Sequence, residues 1–268
     1  MTATTIEEVA SGRRIGPLRA LGHGLTLTWR SLVQVRRSPE QLLDLTLQPI
    51  FFVVLFVYLF GGAIEQDTHR YLQFVLPGIL VQTIAFGSLR TGIGLNADIT
   101  KGIFDRFRSL PIARSAPLVG SVLGDVVRYV VSVVIVLAFG MLLGFRVQTG
   151  PLETLAACAL VLVFALGLCW ISAAIGLVVR SPGTVQGLGA MVMFALTFGS
   201  NLFVQTSTLP GWLQAWVRIN PVTQVVTATR GLLLGGAVAG PVLASLLWTA
   251  GITIVFAPLA IMLYRRRA

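Results

Sequence analysis

Lysine occurs once in this chain of 268 residues, at Lys101, and all charged residues together make up only 11% of it. So little charge excludes an ordinary soluble domain, in which about a quarter of the residues are charged. The residues around Lys101 do not match G-x-x-x-x-G-K-[ST], so the chain cannot hydrolyse ATP through such a loop. Cysteine is nearly as scarce. Cys158 and Cys169 fall in one apolar stretch and would stand about 16 Å apart on a helix, too far for a disulfide. The two histidines, His23 and His69, are expected on opposite sides of a membrane, where they share no metal or catalytic site. Hydrolase and metalloprotease signatures are missing as well. No apolar run of signal-peptide type precedes Glu40, so the N-terminus is expected to stay uncleaved in the cytosol. The chain is expected to be no enzyme on its own and to carry no cofactor or metal.

What is plentiful is apolar. A 55% hydrophobic composition and a mean hydropathy of +0.85 indicate an integral membrane protein of the all-α class. A net charge of +10 would suggest nucleic acid in a soluble protein. Here the basic residues are spread between apolar spans, so membrane topology accounts for them and no nucleic-acid partner is expected.

Six spans of about 20 residues or more are expected, near 42–62, 71–96, 116–144, 152–179, 184–204 and 242–264. With both termini in the cytosol, Arg13, Arg14, Arg19, Arg30, Arg36, Arg37, Lys101, Arg106, Arg108, Arg114, Arg180, Arg265, Arg266 and Arg267 lie inside. Only Arg70, Arg146, Arg218 and Arg230 lie outside. Fourteen against four is a strong positive-inside bias and favours an even number of crossings.

Ahead of the spans, Leu18, Leu21, Leu25, Trp29 and Leu32 repeat at spacings of three and four among arginines, which predicts a helix lying on the inner surface. Residues 1–39 thus form a cytoplasmic tail with an interfacial helix, and 40–268 the transmembrane domain. Residues 206–240 depart from simple crossing. Ser207 or Thr208 is expected to cap a short helix with Pro210 in its first turn and Trp212 and Trp216 at the water–lipid boundary. After the Asn220-Pro221 break, residues 222–234 are expected to form a second helix that dips partway into the membrane, covered by protein. The two make an outer re-entrant hairpin spanning about 207–236 before the last span.

Charges in or beside the spans, Asp44, Arg90, Asp125 and Arg128, are costly in lipid unless paired or facing water. Arg90 and Asp125 are expected at similar depth on consecutive helices and can pair. Asp125 can equally bond Arg128 one turn along its own helix. Either arrangement is a structural ion pair near the inner interface, and a proton relay would want acidic groups nearer mid-membrane. The pairs Gly120 and Gly124, and Gly140 and Gly144, have the spacing that lets helices approach closely, within the subunit or at a subunit contact.

Between two long apolar segments, residues of about 98–111 form a charged amphipathic stretch. On a helix, Ile99, Ile103, Phe107 and Leu110 fall on a stripe roughly 80° wide, with Lys101, Asp105, Arg108 and Ser109 opposite. The plain reading is a headgroup-anchored loop whose basic residues fix topology. The sharper one is a helix that receives force from a soluble partner through charge-assisted contacts of Asp105, Arg106 and Arg108.

The run Gly102-Ile-Phe-Asp-Arg-Phe-Arg-Ser-Leu-Pro-Ile-Ala-Arg114, then Leu118-Val-Gly with Asp125, Leu209-Pro-Gly-Trp-Leu, Asn220-Pro-Val-Thr and Arg230, resembles the membrane subunit of a type-2 ABC exporter, closest to the daunorubicin-resistance permease group. The likeness runs from about residue 18 to the end and is most specific between Phe104 and Pro111. Lys101 departs from the pattern, since members of the group often carry an acidic residue there. The resemblance implies six spans, two ATP-binding subunits docked on the cytoplasmic side and using ATP and Mg, and a second permease chain, identical or homologous. Lys101, Gly102, Phe104, Asp105, Arg106, Phe107, Arg108 and Ser109 would then form the coupling helix, and Trp212, Asn220, Pro221 and Arg230 would belong to the outer loop. The expected activity is export of hydrophobic or amphipathic compounds, drugs or lipids, across the plasma membrane. Competing readings are a lipid-linked glycan exporter of the same superfamily, an ion-coupled secondary transporter, for which no repeated halves or deep ion-binding cluster is apparent, and a non-transporting anchor or sensor.

Overall fold

The computed structural model describes residues 39–64, 67–101 and 116–267. The expected interfacial helix lies outside the described residues, as do Gly102, Phe104, Asp105, Arg106, Phe107, Arg108 and Ser109 of the coupling segment.

Among the described residues every regular element is a helix. The first, α1 (Pro39–Leu55), carries Pro49 in its interior and runs into a π-helical turn, Phe56–Phe60, before the short α2 (Gly61–Ile64). The rings of Phe52, Phe56 and Phe60 stack in sequence at 5.9 and 5.4 Å. Phe56 also lies 3.9 Å from the Phe203 ring, so packing of aromatic surface accompanies the widened turn. Next come α3 (Thr68–Gly87), capped by Asp67 accepting from the His69 amide at 2.9 Å, and α4 (Leu89–Thr100). They follow each other through Ser88, whose hydroxyl donates to the Ala85 carbonyl at 2.7 Å. The remaining elements are α5 (Ala116–Leu142), α6 (Pro151–Val178), α7 (Pro182–Phe198), a 3-10 turn (Thr206–Thr208), α8 (Gly211–Ile219), α9 (Pro221–Leu234) and α10 (Ala239–Arg267).

Four stretches are long and apolar enough to cross a bilayer: Thr68–Thr100, Asp125–Leu142, Pro151–Val178 and Ala239–Tyr264. Leu47–Phe60 and Pro182–Phe198 are shorter apolar helices. The helix expected over 184–204 ends at Phe198, because the next residues are held in a non-helical arrangement by side chains. Ser200 donates to the Thr197 carbonyl at 2.5 Å and the Asn201 amide donates to the Thr227 hydroxyl at 3.0 Å. Ser200 and Asn201 are both buried, so protein rather than lipid surrounds this irregular backbone.

α6 is the axis of the bundle and touches α3, α4, α5, α7, α9 and α10. It crosses α4 at contact between two glycines. A Cβ on Gly92 would fall 2.1 Å from the Ser172 carbonyl oxygen, and one on Gly176 would fall 2.3 Å from that of Gly92. Only hydrogen fits between the two backbones. Gly140 plays a similar part inside the subunit, since a Cβ there would meet Leu76 Cδ2 of α3 at 2.3 Å. The apolar window of α10 is only 11% buried, against 72% for Thr68–Thr100, so lipid or another chain must cover it.

Candidate functional site

Where α4, α5 and α6 meet, polar side chains gather in an apolar setting. Arg128 Nη1 meets Asp125 Oδ1 at 2.8 Å one turn along α5, and the Thr91 hydroxyl of α4 donates to Asp125 Oδ2 at 2.6 Å. Both oxygens of a buried carboxylate are thereby engaged, which such a group requires at membrane depth. Cys169 of α6 extends the cluster, with its Sγ 3.3 Å from Thr91 Oγ1 and 3.1 Å from the Tyr129 hydroxyl. Ser88 and Ser172 face each other at 3.4 Å. Below them Asn96 donates to the carbonyls of Gly176 and Val179 at 2.8 and 2.7 Å. These are end carbonyls of α6 with few partners of their own, so Asn96 locks the end of α6 to α4.

Arg90 shares a cleft with Asp125 and Arg128. This cleft, of about 50 Å³, lies between α1, α3 and α5, and Gln82, Tyr129 and Ser132 also line it. The structure therefore brings Arg90, Asp125 and Arg128, three of the four charged residues singled out from the sequence, to one place, with an ion pair formed between Asp125 and Arg128. Sequence reasoning missed Gln82, Thr91, Tyr129 and Cys169. A signal existed, since Gln82 and Thr91 are polar residues inside an otherwise apolar run.

The second group lies at the other end of α3. Asn220 joins α8 to α9 and does three things: its Oδ1 accepts from the Val222 amide at 2.9 Å, and its Nδ2 donates at 2.8 Å to both Leu196 and Gly199 carbonyls. It caps α9, with Pro221 in the first turn, and closes the end of α7. Ahead of it the expected cap differs. Pro210 itself stands at the N-cap of α8, without a side-chain bond, and the Thr208 hydroxyl instead donates to the Gln205 carbonyl at 2.8 Å within the 3-10 turn. Proline has no side-chain oxygen to accept from the first-turn amides, so this helix start goes without a side-chain cap. Trp212 and Trp216 of α8 are exposed, at 76% and 51%.

α9 packs among α3, α6, α7, α8 and α10. Arg230 on it holds its guanidinium 3.9 Å from the Phe74 ring centre, with Nε donating to the Phe74 carbonyl at 3.2 Å and Nη2 to that of Asn201 at 3.4 Å. At its far end the Thr149 hydroxyl donates to the Leu232 carbonyl at 2.6 Å and the Gln148 amide to that of Leu233 at 2.9 Å. A second, largely aromatic cavity of about 250 Å³ opens nearby, walled by Phe56, Phe60, Phe198 and Phe203. Of the expected coupling segment, Asp98, Ile99 and Thr100 belong to the end of α4, and Lys101 is exposed in the turn that follows.

Comparison with known proteins bears on what this arrangement does. The family model described as "ABC-2 type transporter" matches residues 24–234. The chain is 43% identical over 259 residues to the daunorubicin resistance ABC transporter permease protein DrrB1 of Streptomyces coeruleorubidus, covering 97% of this chain and 92% of that protein. It is 29% identical over 274 residues to the probable doxorubicin resistance ABC transporter permease protein DrrC of Mycobacterium tuberculosis, covering 99% of each. A putative transport permease, ycf38 of Cyanophora paradoxa, is 29% identical over 211 residues, 77% of this chain and 72% of that one.

Proposed function

The chain belongs to the ABC-2 type transporter family, and from that premise we propose that it is the permease subunit of an ATP-driven exporter for hydrophobic or amphipathic compounds. The observation that carries this reading is the 43% identity, over nearly the whole of both chains, to a permease named for daunorubicin resistance. The apolar walls of the second cavity suit cargo of that kind.

Six crossings are part of the proposal: the four long stretches, with Leu47–Phe60 and Pro182–Phe198 as the shorter pair. The excess of basic residues between them supports cytosolic termini in the plasma membrane. The energy would come from two ATP-binding subunits, which bind ATP and Mg, and a second permease chain, identical or homologous, would complete the pore. α10, whose apolar face is bare, has surface to spare for lipid or for that second chain.

Force would enter through residues 102–110 and the N-terminal interfacial segment. α4 leads directly into the first of these at Lys101. It is fastened to α6 by the glycine crossing and by Asn96, and to α5 by the Thr91–Asp125 bond. A push on the segment would therefore move α4, α5 and α6 together rather than bend α4 alone.

The test is reconstitution of the chain with its candidate ATPase in vesicles. ATP hydrolysis stimulated by an apolar compound supports the reading. Stimulation by lipid-linked glycan alone, or transport that survives ATP depletion and collapses with the proton gradient, rejects it.

A further inference from the structure

The second cavity, of about 250 Å³, has polar groups on its wall that are already engaged. The Tyr71 hydroxyl donates to the Phe203 carbonyl at 3.2 Å and Ser200 to that of Thr197 at 2.5 Å. Among the described residues, no buried side-chain oxygen or nitrogen of this wall lacks a partner. Nothing there calls for water, and an apolar void stays dry. A dry cavity of about 150 Å³ already takes up benzene, so this larger one, left empty, would forfeit contacts on every side.

Its surroundings determine what is at hand to fill it. The floor is the stacked pair Phe56 and Phe203, 3.9 Å apart. The roof is the inner face of α8, where Leu213 and Val217 stand one turn apart, while Trp212 and Trp216 are exposed on the other side. Phe60 and Phe198 line the cavity and are themselves exposed, so they form its rim. Each continues into exposed apolar surface, at Leu59 and at Phe194. In a membrane such surface faces acyl chains, and tryptophans mark the level of the headgroups.

We propose that the cavity holds the end of one acyl chain of a membrane phospholipid, which enters between Phe60 and Phe198 and stays as a fixed part of the fold, propping α8 over Phe56 and Phe203. The tail is hydrocarbon to its end, so it fills the space without leaving a polar group unpaired. This lipid is resident and is not cargo. An apolar compound reaches the same walls only by displacing it, and the site holds whether or not the chain exports anything.

The experiment uses the full chain in phosphatidylcholine nanodiscs, with part of the lipid carrying a diazirine at the last carbon of one acyl chain and the crosslinked residues located by mass spectrometry. Label on Phe56 and Phe203 is expected to exceed label along the bare face of α10 by about fivefold or more, since a held tail stays longer than one that brushes the surface. Leu213→Trp, from the roof, and Val204→Phe, from the wall, each fill the space. Either is expected to cut label on Phe56 and Phe203 by about tenfold and to leave label on α10 unchanged. Wall label absent, or no denser than along α10, overturns the inference, whether lipid only passes by or a second copy of the chain seals the mouth. A folded, filled variant that keeps the wall label of the unaltered chain overturns it as well. ATP hydrolysis stimulated by an apolar compound in the reconstituted complex reports on the exporter reading separately.

Discussion

The guanidinium of Arg230 lies over the ring of Phe74 at 3.9 Å, joining α9 to α3 through a cation–π contact and a bond to the Phe74 carbonyl. Replacing Arg230 by Met removes both contacts and leaves two carbonyls short of a donor. The expected loss is about 1–3 kcal/mol of stability. Lysine, a point charge without the planar fork, should recover only part of it. Thermal unfolding in lipid of the three proteins checks the order.

Asn220 to Ala removes the cap of α9 and the two bonds to the end of α7 at once. About 2–3 kcal/mol is the expected cost, and the amide of Val222 should lose hydrogen-exchange protection before residues of α6 do. Equal protection in the variant and the unaltered chain would remove Asn220 as the joint between α7 and α9.

The glycine crossing makes a sharp contrast within one helix. Gly92→Ala places a methyl group 2.1 Å from a carbonyl oxygen and should prevent accumulation of folded protein, whereas Gly94→Ala, with nothing within 4 Å, should be tolerated. Membrane-fraction yield of the two variants is the measurement.

Asp125→Ala strips Arg128 and Thr91 of a shared partner inside the bundle. A loss of about 3–5 kcal/mol is expected, as for breaking other buried ion pairs. Asp125→Asn, which still accepts from Thr91, should cost less, and denaturant titration in mixed micelles separates the two.

Charge reversal at Asp105 or Arg106 should weaken co-purification of the ATP-binding subunit by severalfold while leaving insertion intact, because both residues are expected outside the hydrocarbon. Undiminished co-purification would leave the segment without its proposed role.

The long apolar helices were legible in the sequence because composition alone sets them: no other regular structure satisfies its backbone across lipid. The second helix of the outer pair was legible almost to the residue, expected over 222–234 and found at Pro221–Leu234, because Asn-Pro announces a start. Family membership was legible in the motifs around residues 102–114, 209–213 and 220–223. Other features depend on contacts between distant residues and left no local trace. Phe198 ends α7 because Asn201 finds Thr227. Gln82 looks from sequence like any polar residue in an apolar run, and only the packed helices show that it is walled in without a bonding partner. Asp125 had two arginines within reach, and spacing could not choose between them.

The widened turn at Phe56–Phe60 stores slack. Rewinding it to ordinary α pitch would rotate everything beyond it by roughly 100° about the helix axis while the inner half stayed put. The first helix would thus turn its Phe60 end, and the aromatic wall attached there, independently of the end that begins at Pro39.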